Sequence, residues 1–530
     1  MAIVPKRRSA AKRKPSKKRI GKPRSPQSAP SKTPPALPIC KKPGSAAKLK
    51  NHGYSTNGKQ QPVLNRTTFR TSRAMDFFSA RELVTQTGYA VDMWPLVIIN
   101  ELVDNAIDAC EEADVPPTIT VLADAAGITI ADNGPGLPES TIEGILDFNV
   151  RTSSREMYVA LDRGAQGNAG KCLVAMPYVI DPEHGRLVIV AKGIEHAIVC
   201  KVDAITQQPL VDHRTRHVTD EGGTTVRMEW APSKDADGKA IWPFGADCFP
   251  ETKGSMLRPS IRDLAMVLFT GYATFNPHLS LSVRWFGERL KFAATNLTWE
   301  KWKPNKPTSP HWYELRHLER LAGCYIALDR QRDEDRTVAA FLAEFDGLTG
   351  SAKRKLVTDE TGLDRTKLSE LADQSGFKRD VMARLLASMQ KHSRPIKPPR
   401  LGTIGKDHFC TRFEQLGCEA DKLQYAKRAN IDNGLPYVVE SAFAWYGEQG
   451  EGRRRVLLAG ANWSPRIANP FRSFGSSGEG LDTILSEQRA TADKPIVFAI
   501  HAAHPRIEYT DRGKTALVLN SEEEGADDES

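Results

Sequence analysis

The chain has 530 residues, 40% of them hydrophobic and 26% charged, which is enough for about two to four domains with proper cores. No apolar run approaches the ~18 residues of a spanning helix and no secretory pattern is present, so the sequence predicts a soluble protein with no membrane partner. Its eight cysteines, at 40, 110, 172, 200, 248, 324, 410 and 418, never form a CxxC pair; zinc and redox motifs are thereby excluded and reduced, structural thiols expected.

The net charge of +9 is unevenly placed. The first fifty residues carry sixteen Lys or Arg and no Asp or Glu, so the rest of the chain is net negative. A stretch so rich in charge, Pro, Ser and Ala cannot bury a core, and residues 1–67 are expected to be a disordered basic tail. Two uses stay open for it: binding of nucleic-acid phosphates by counterion release, and, in KRKPSKKR, a nuclear import address.

Three short motifs follow. In the first, ELVDNAIDAC, the apolar residues Ile98, Ile99, Leu102, Val103, Ala106 and Ile107 recur at helical spacing and predict a helix with one buried face. Glu101, Asn105 and Asp108, at i, i+4 and i+7, project from one stripe on its other side. In the second, ITIADNGPGL, the alternation of Ile128 and Ile130 predicts a strand that breaks at Asp132 into Asn133, Gly134, Pro135 and Gly136. That places an acceptor at a strand end. The third, RGAQGNAGK from Arg163 to Lys171, has three glycines just before the apolar run CLVAMPYVI, so its amides can approach an anion at a helix start. Taken singly, each has an ordinary reading: Glu101 and Asp104 on a solvated helix face, DNG as a common turn, the Gly-rich stretch as a plain loop. No GxxxxGK[ST] sequence occurs, so a Walker site is excluded.

In this order and within about seventy residues, the three motifs resemble those of the GHKL ATPase superfamily, which includes gyrase-type topoisomerase ATPase subunits, heat-shock chaperones, mismatch-repair ATPases and sensor histidine kinases. The resemblance implies ATP with Mg²⁺ as cofactors. By it, Glu101 is the general base for the attacking water and Asn105 the Mg²⁺ ligand, with Asp108 on the same stripe at the nucleotide. Asp132 accepts from the adenine amine, with Gly134 and Gly136 turning beneath the base. Gly164, Gln166, Gly167, Asn168, Ala169 and Gly170 form the lid over the phosphates, and Lys171 adds a point charge there. Thr224, in EGGTTVRMEW, matches the later Gly-Thr strand near the base, a position that a surface turn explains almost as well.

Beyond these motifs the chain resembles topoisomerase VI B subunits. TFRTSRAMDFFSARELVTQTGYA, residues 68 to 90, is similar to their N-terminal strap, used in ATP-dependent dimerisation; Phe77 and Phe78 are equally good core residues. WEKWKPNKPTSPHW interleaves three Trp with three Lys, which suits either base stacking or a packed linker. ELRHLERLAG, RTVAAFLAEF, TKLSELAD and FKRDVMARLLASMQKH read as amphipathic helices, where the family has a helix-two-turn-helix domain. PPRLGTIGKDHF is similar to the family's entry into its transducer domain. PIVFAIHAAHPRIEYTDRGKTALVL resembles the transducer segment that ends in a lysine, here Lys514, which in the family reaches the γ-phosphate from the second domain.

The expected fold is therefore α+β: a GHKL (Bergerat) ATP-binding α/β sandwich with its strap over 68–298, a linker and small helical domain over 299–397, an α/β transducer-like domain over 398–520, and an acidic tail over 521–530. The expected function is that of an ATP-hydrolysing type IIB topoisomerase subunit, a homodimer on ATP binding, acting on DNA with a topoisomerase VI A-like cleavage subunit. It would be cytoplasmic and nucleoid-associated, or nuclear in a eukaryote. The family continues past its lysine into a long docking helix, whereas SEEEGADDES follows here, so a nucleotide-gated DNA clamp without strand passage is the alternative. With no tyrosine cleavage domain or acidic metal cluster in the sequence, the chain alone is not expected to break DNA.

Overall fold

The computed structural model describes residues 72–150, 153, 155–163, 168–219, 222–234, 236–238, 240–245, 259–447, 452–473, 478–511 and 513–518. The basic tail, residues 164–167 of the Gly-rich loop and the acidic C-terminal stretch lie outside these.

The first helix, α1 (Ala80–Thr87), begins at Ser79, whose hydroxyl accepts from the Glu82 amide, and stops at Gly88 in the left-handed conformation. Phe77 and Phe78 before it are buried against Phe148. Helix α2 (Trp94–Glu112) starts with Pro95 in its first turn, where the missing N–H costs nothing. Strands β1 (Thr118–Asp124) and β2 (Gly127–Ala131), helices α3 (Glu139–Leu146) and α4 (Ala169–Ile180), and strands β3 (Arg186–Ala191), β4 (Ile194–Asp203), β5 (Gln208–His217) and β6 (Thr224–Glu229) follow. A short pair, β7 (Ser233–Lys234) and β8 (Ala240–Ile241), precedes α5 (Ile261–Phe275), β9 (Ser280–Trp285) and β10 (Glu288–Phe292).

Eight of these strands form one sheet in the order β10-β9-β1-β2-β6-β3-β4-β5. β1 and β9 are parallel and the other neighbours antiparallel. Alternate residues Ile119 and Val121, Ile128 and Ile130, and Leu187 and Ile189 join the core that α2, α4 and α5 complete. Strand β2, which ends just before Asp132, lies at the centre of the sheet beside β6, which begins at Thr224.

The central block holds α6 (Leu315–Gln331), α7 (Val338–Leu342), α8 (Ser351–Thr361) and α9 (Arg379–His392), with a two-residue hairpin of β11 (Ala372–Asp373) and β12 (Gly376–Phe377). Here the expected helices are partly overturned. TKLSELAD is only a short 3-10 turn, Leu368–Leu371, running into the hairpin, because Leu368 and Leu371 alone are buried. SAKRKLVTDET, by contrast, is the helix α8; it buries only Val357 and Thr358 and so carries no apolar period in its sequence. The Trp-rich stretch is a packed linker: Trp302 and Trp312 are buried edge to face, and Trp299 Nε1 donates to the Thr403 carbonyl at 2.7 Å.

Helix α10 (Lys406–Gln415) leads to β13 (Gln424–Asp432), β14 (Leu435–Trp445), β15 (Val456–Ala461), β16 (Ser464–Pro465), α11 (Leu481–Glu487) and β17 (Ile496–Ala503). These strands form a second sheet, β13-β14-β17-β15-β16, with β15 and β17 parallel. Its inner residues share one core with the helical block, Val438, Ala442 and Leu458 with Leu318, Phe341 and Leu385.

Candidate nucleotide site

Helix α2 is buried on more than the one face its apolar period predicts, because the β15–β16 hairpin packs against it as well as the first sheet. Glu101 and Asn105 remain accessible, Asn105 exposed and Glu101 half-buried. Asp108, on the same stripe, is covered. Arg155 and Arg163 fold over it and pair with one carboxylate oxygen each, leaving it 1% exposed. Asp108, expected at the nucleotide, here anchors two arginines, one of them at the root of the Gly-rich loop.

The opposite bank comes from far along the chain. Lys514 sits in a tight turn at φ +56°, with its amide donating to the Asp511 carbonyl. The turn is seated on the end of α1: a Cβ on Gly513 would stand 2.7 Å from the Thr87 carbonyl oxygen, and one on Gly88 2.7 Å from the Gly513 Cα. Only two glycines permit that approach. The Lys514 ammonium then reaches the Arg163 carbonyl at 2.9 Å and lies 3.8 Å from the Glu101 carboxylate.

Asp132 closes β2. Its Oδ1 accepts from the Gly134 amide at 2.8 Å and the Thr224 amide at 3.2 Å, leaving Oδ2 without a partner among the described residues. Burial raises its pKa and the two amides oppose that. Thr224 is at the same place, its hydroxyl accepting from the Leu137 amide at 3.1 Å. Gly223 before it, at φ +75°, comes so close that a Cβ would lie 1.9 Å from the Asp132 carbonyl oxygen. Gly136 is likewise left-handed, at φ +78°. Asn133 fastens the turn, accepting from the Thr118 amide at 2.7 Å and donating to the Pro116 carbonyl at 3.1 Å.

Of the Gly-rich loop, Asn168 caps α4 and Ala169 and Gly170 form its first turn; Gly164, Gln166 and Gly167 are outside the described residues. Lys171, expected as a point charge at the phosphates, turns inward here. It is 2% exposed, and its ammonium donates to the carbonyls of Gly144 and Asp147, where α3 ends. Burial lowers its pKa. An unpaired run of carbonyls at a helix C-terminus is a strong acceptor, and it draws this cation inward.

Two buried networks escaped the sequence reading. Glu111 receives Arg163 through both its oxygens at 2.8 Å, Lys301 at 2.7 Å and His278 at 3.1 Å. Burial works against its charge, but Arg163 and Lys301 overcome that and hold the carboxyl well below its usual range. Arg163 also donates to Asn276 at 2.7 Å, so the loop root is tied to α2, α5 and the linker together. The second network centres on Asp104, which is buried and not on a solvated face. It accepts from Tyr272 at 2.9 Å and from Ser464 of β16 at 2.7 Å, and burial raises its pKa to about 6. Nothing local marks either carboxylate, since all partners lie in other elements.

A mixed sheet beneath α2, an acceptor at the end of β2 and a Gly-rich sequence leading into α4 define an ATP-binding ATPase domain of the GHKL class. Residues 92–234 match the family model of histidine kinase-, DNA gyrase B-, and HSP90-like ATPases. The B subunit of type 2 DNA topoisomerase 6 from Archaeoglobus fulgidus is 38% identical over 448 residues, 80% of this chain and 66% of that protein. Its counterpart from Metallosphaera sedula is 22% identical over 447 residues, 79% of this chain and 75% of that protein. The Pyrococcus horikoshii protein matches at 27% over 169 residues, 30% of this chain and 29% of that protein. Among solved structures, the ATPase region of Saccharomyces cerevisiae topoisomerase II bound to ICRF-187 aligns at a TM-score of 0.35 and 11% identity, covering 80% of this chain and 77% of that one, a likeness too loose to carry an argument. The chain belongs to the family of type 2 DNA topoisomerase 6 B subunits and is an ATPase subunit of that kind. No helix among the described residues is long and apolar enough to cross a membrane.

Proposed function

We propose that this chain binds ATP between α2, the β2 end and the Gly-rich loop, closes into a homodimer on binding, and uses that closure to pass DNA through a break made by a separate A-type cleavage subunit. The observation that supports this most directly is the meeting of Lys514 with Glu101. A cation carried by the second sheet stands at the catalytic helix, where its attraction differs between triphosphate and diphosphate. A ligand moves a conformational equilibrium only by such a difference.

In this reading Glu101 accepts the proton of the attacking water and aligns it, the help that phosphoryl transfer needs most. Asn105, accessible and one turn further on, would hold Mg²⁺, which bound there neutralises phosphate charge. A single amide ligand suits a cation that takes its other ligands from phosphates and water. Asp132, with Oδ2 unpartnered, takes the adenine amine, and Thr224 and Gly136 shape the pocket beside it. Asn168, Ala169 and Gly170 present the opening of α4 to the phosphates, continuing the Gly164–Gly167 part of the lid. The stretch up to 298 acts as the ATPase domain, 299–397 as linker and helical domain, and 398–520 as transducer.

The test is ATP turnover by purified protein with and without duplex DNA, with Glu101→Ala as the blank and oligomeric state followed with a non-hydrolysable ATP analogue. Turnover together with analogue-dependent dimers is expected. Analogue binding that leaves the protein monomeric would remove the gate.

A further inference from the structure

The β15–β16 hairpin is the part of the second sheet closest to the nucleotide elements, and it is fixed there at every residue. Its turn, Asn462 and Trp463, is left-handed at both positions, φ +48° and +64°. A bulky Trp rarely adopts that conformation without being held in it. Within the second sheet and its loops, Asn462 Nδ2 donates to the His504 carbonyl at 3.1 Å and the Trp463 amide to His501 at 2.8 Å; the other holding contacts come from the first domain. Asn462 Nδ2 donates to the Asp162 carbonyl at 3.3 Å, just before the Gly-rich loop. Asn276 donates to the Trp463 carbonyl at 2.9 Å, Ser464 donates to Asp104 at 2.7 Å, and Asn100 donates to the Pro465 carbonyl at 3.3 Å.

The next residue is Arg466, 8% exposed. One of its terminal nitrogens donates to the Tyr509 hydroxyl at 2.7 Å, and its guanidinium lies 5.1 Å from that ring's centre. Its Nε and Nη1 are buried without any hydrogen-bond partner among the described residues. Among those residues no carboxylate ion-pairs with it. Glu101 and Asp104 are near enough to stabilise its charge, but Asp104 already spends both oxygens on Tyr272 and Ser464. Two buried guanidinium nitrogens with idle donors are costly unless an acceptor arrives, and a phosphate oxygen is a strong acceptor for such a cation.

We propose that Arg466 is a second cation of the nucleotide site, binding the terminal phosphate of the triphosphate beside Lys514 and carrying its presence into the second sheet through the hairpin. This rests on the reading of Glu101 and its surroundings as the triphosphate site. Lys514 arrives on a turn seated against α1, Arg466 on a hairpin seated against α2 and the loop root. The two cations therefore report one phosphate to two places in the second sheet, Arg466 to its β16 edge and Lys514 to the segment that follows its central strand β17.

The experiment is calorimetric titration of the full chain, wild type, Arg466→Met and Arg466→Lys, with a non-hydrolysable ATP analogue and with ADP, alongside thermal melting. Arg466→Met should weaken the analogue by roughly tenfold or more while ADP affinity stays unchanged, the loss expected for a hydrogen bond to a charged group. Arg466→Lys, which keeps the charge with a single donor nitrogen, should fall between. Equal losses for both nucleotides, or none for either, would overturn the assignment. Should Arg466→Met not fold, hydrogen exchange on wild type decides: protection of 461–466 by the analogue but not by ADP supports it, and equal protection sinks it. If the wild type binds neither nucleotide, the triphosphate site itself is wrong and the proposal falls with it.

Discussion

The ammonium of Lys514 lies 3.8 Å from the carboxylate of Glu101 and 2.9 Å from the carbonyl of Arg163, although Arg163 precedes it by 351 residues. One cation thus joins the accessible acid of α2 to the root of the Gly-rich loop. Replacing Glu101 with Ala should lower turnover about 10²- to 10⁴-fold, the usual worth of a general base, while analogue binding survives. Lys514→Ala should weaken the analogue more than ADP. Steady-state turnover and equilibrium titration of both variants check this, and loss of all nucleotide binding in Glu101→Ala would refute its role.

Asp132 offers one free oxygen at a buried strand end, so Asp132→Ala should reduce nucleotide affinity roughly 10- to 100-fold, as for a lost hydrogen bond to a charged group. Gly223→Ala should do as much without touching the carboxylate, because its methyl would meet the Asp132 carbonyl at 1.9 Å. Adenine and guanine nucleotides should lose their difference in the Asp132 variant. An unchanged ATP affinity would take Asp132 out of the base pocket.

Asp104 gives a pH signature. Its pKa is raised from 3.8 to about 6, so the folded state binds the proton more tightly than the unfolded chain does. The stability this provides is complete below pH 3.8 and disappears as pH rises through about 6. Two pKa units correspond to roughly 3 kcal/mol. Denaturant unfolding between pH 4 and 7, in wild type and Asp104→Asn, should show a steeper fall with rising pH in the wild type; parallel curves would mean that Asp104 is not the titrating group.

The Glu111 cluster should dominate local stability. Glu111→Ala leaves Arg163 and Lys301 buried without their shared partner and should cost about 3–5 kcal/mol. The exposed neighbour Glu112, whose carboxylate pairs with Arg155, should cost about 0.5 kcal/mol or less when replaced. Thermal melts of the two single variants, side by side, decide whether the buried network or surface charge in general matters.

The basic N-terminal tail is open to a direct test on duplex DNA. Deleting residues 1–50 removes sixteen positive charges and should both weaken binding and flatten its dependence on salt. A slope identical to that of the full chain would leave the tail an address signal instead.

What the residues determine by themselves is local. The Glu101 and Asn105 pair, the Asp132 turn and the opening of α4 are each written within ten residues, because helical spacing, strand alternation and glycine turns act over that range. The apolar period of α2 also announces burial, but not how many faces are covered, since that depends on what later packs against it. The hairpin at Ser464 makes Asp104 a core residue, two distant arginines make Asp108 a buried anchor, and the carbonyls ending α3 draw Lys171 inward. Helix α8 has too few buried residues to show a period, and Leu368–Leu371 has a period too short to become a helix. Partner choice among charges is a tertiary decision: a buried carboxylate is stable only where opposite charges or donors converge on it, and here those come from residues up to several hundred positions away.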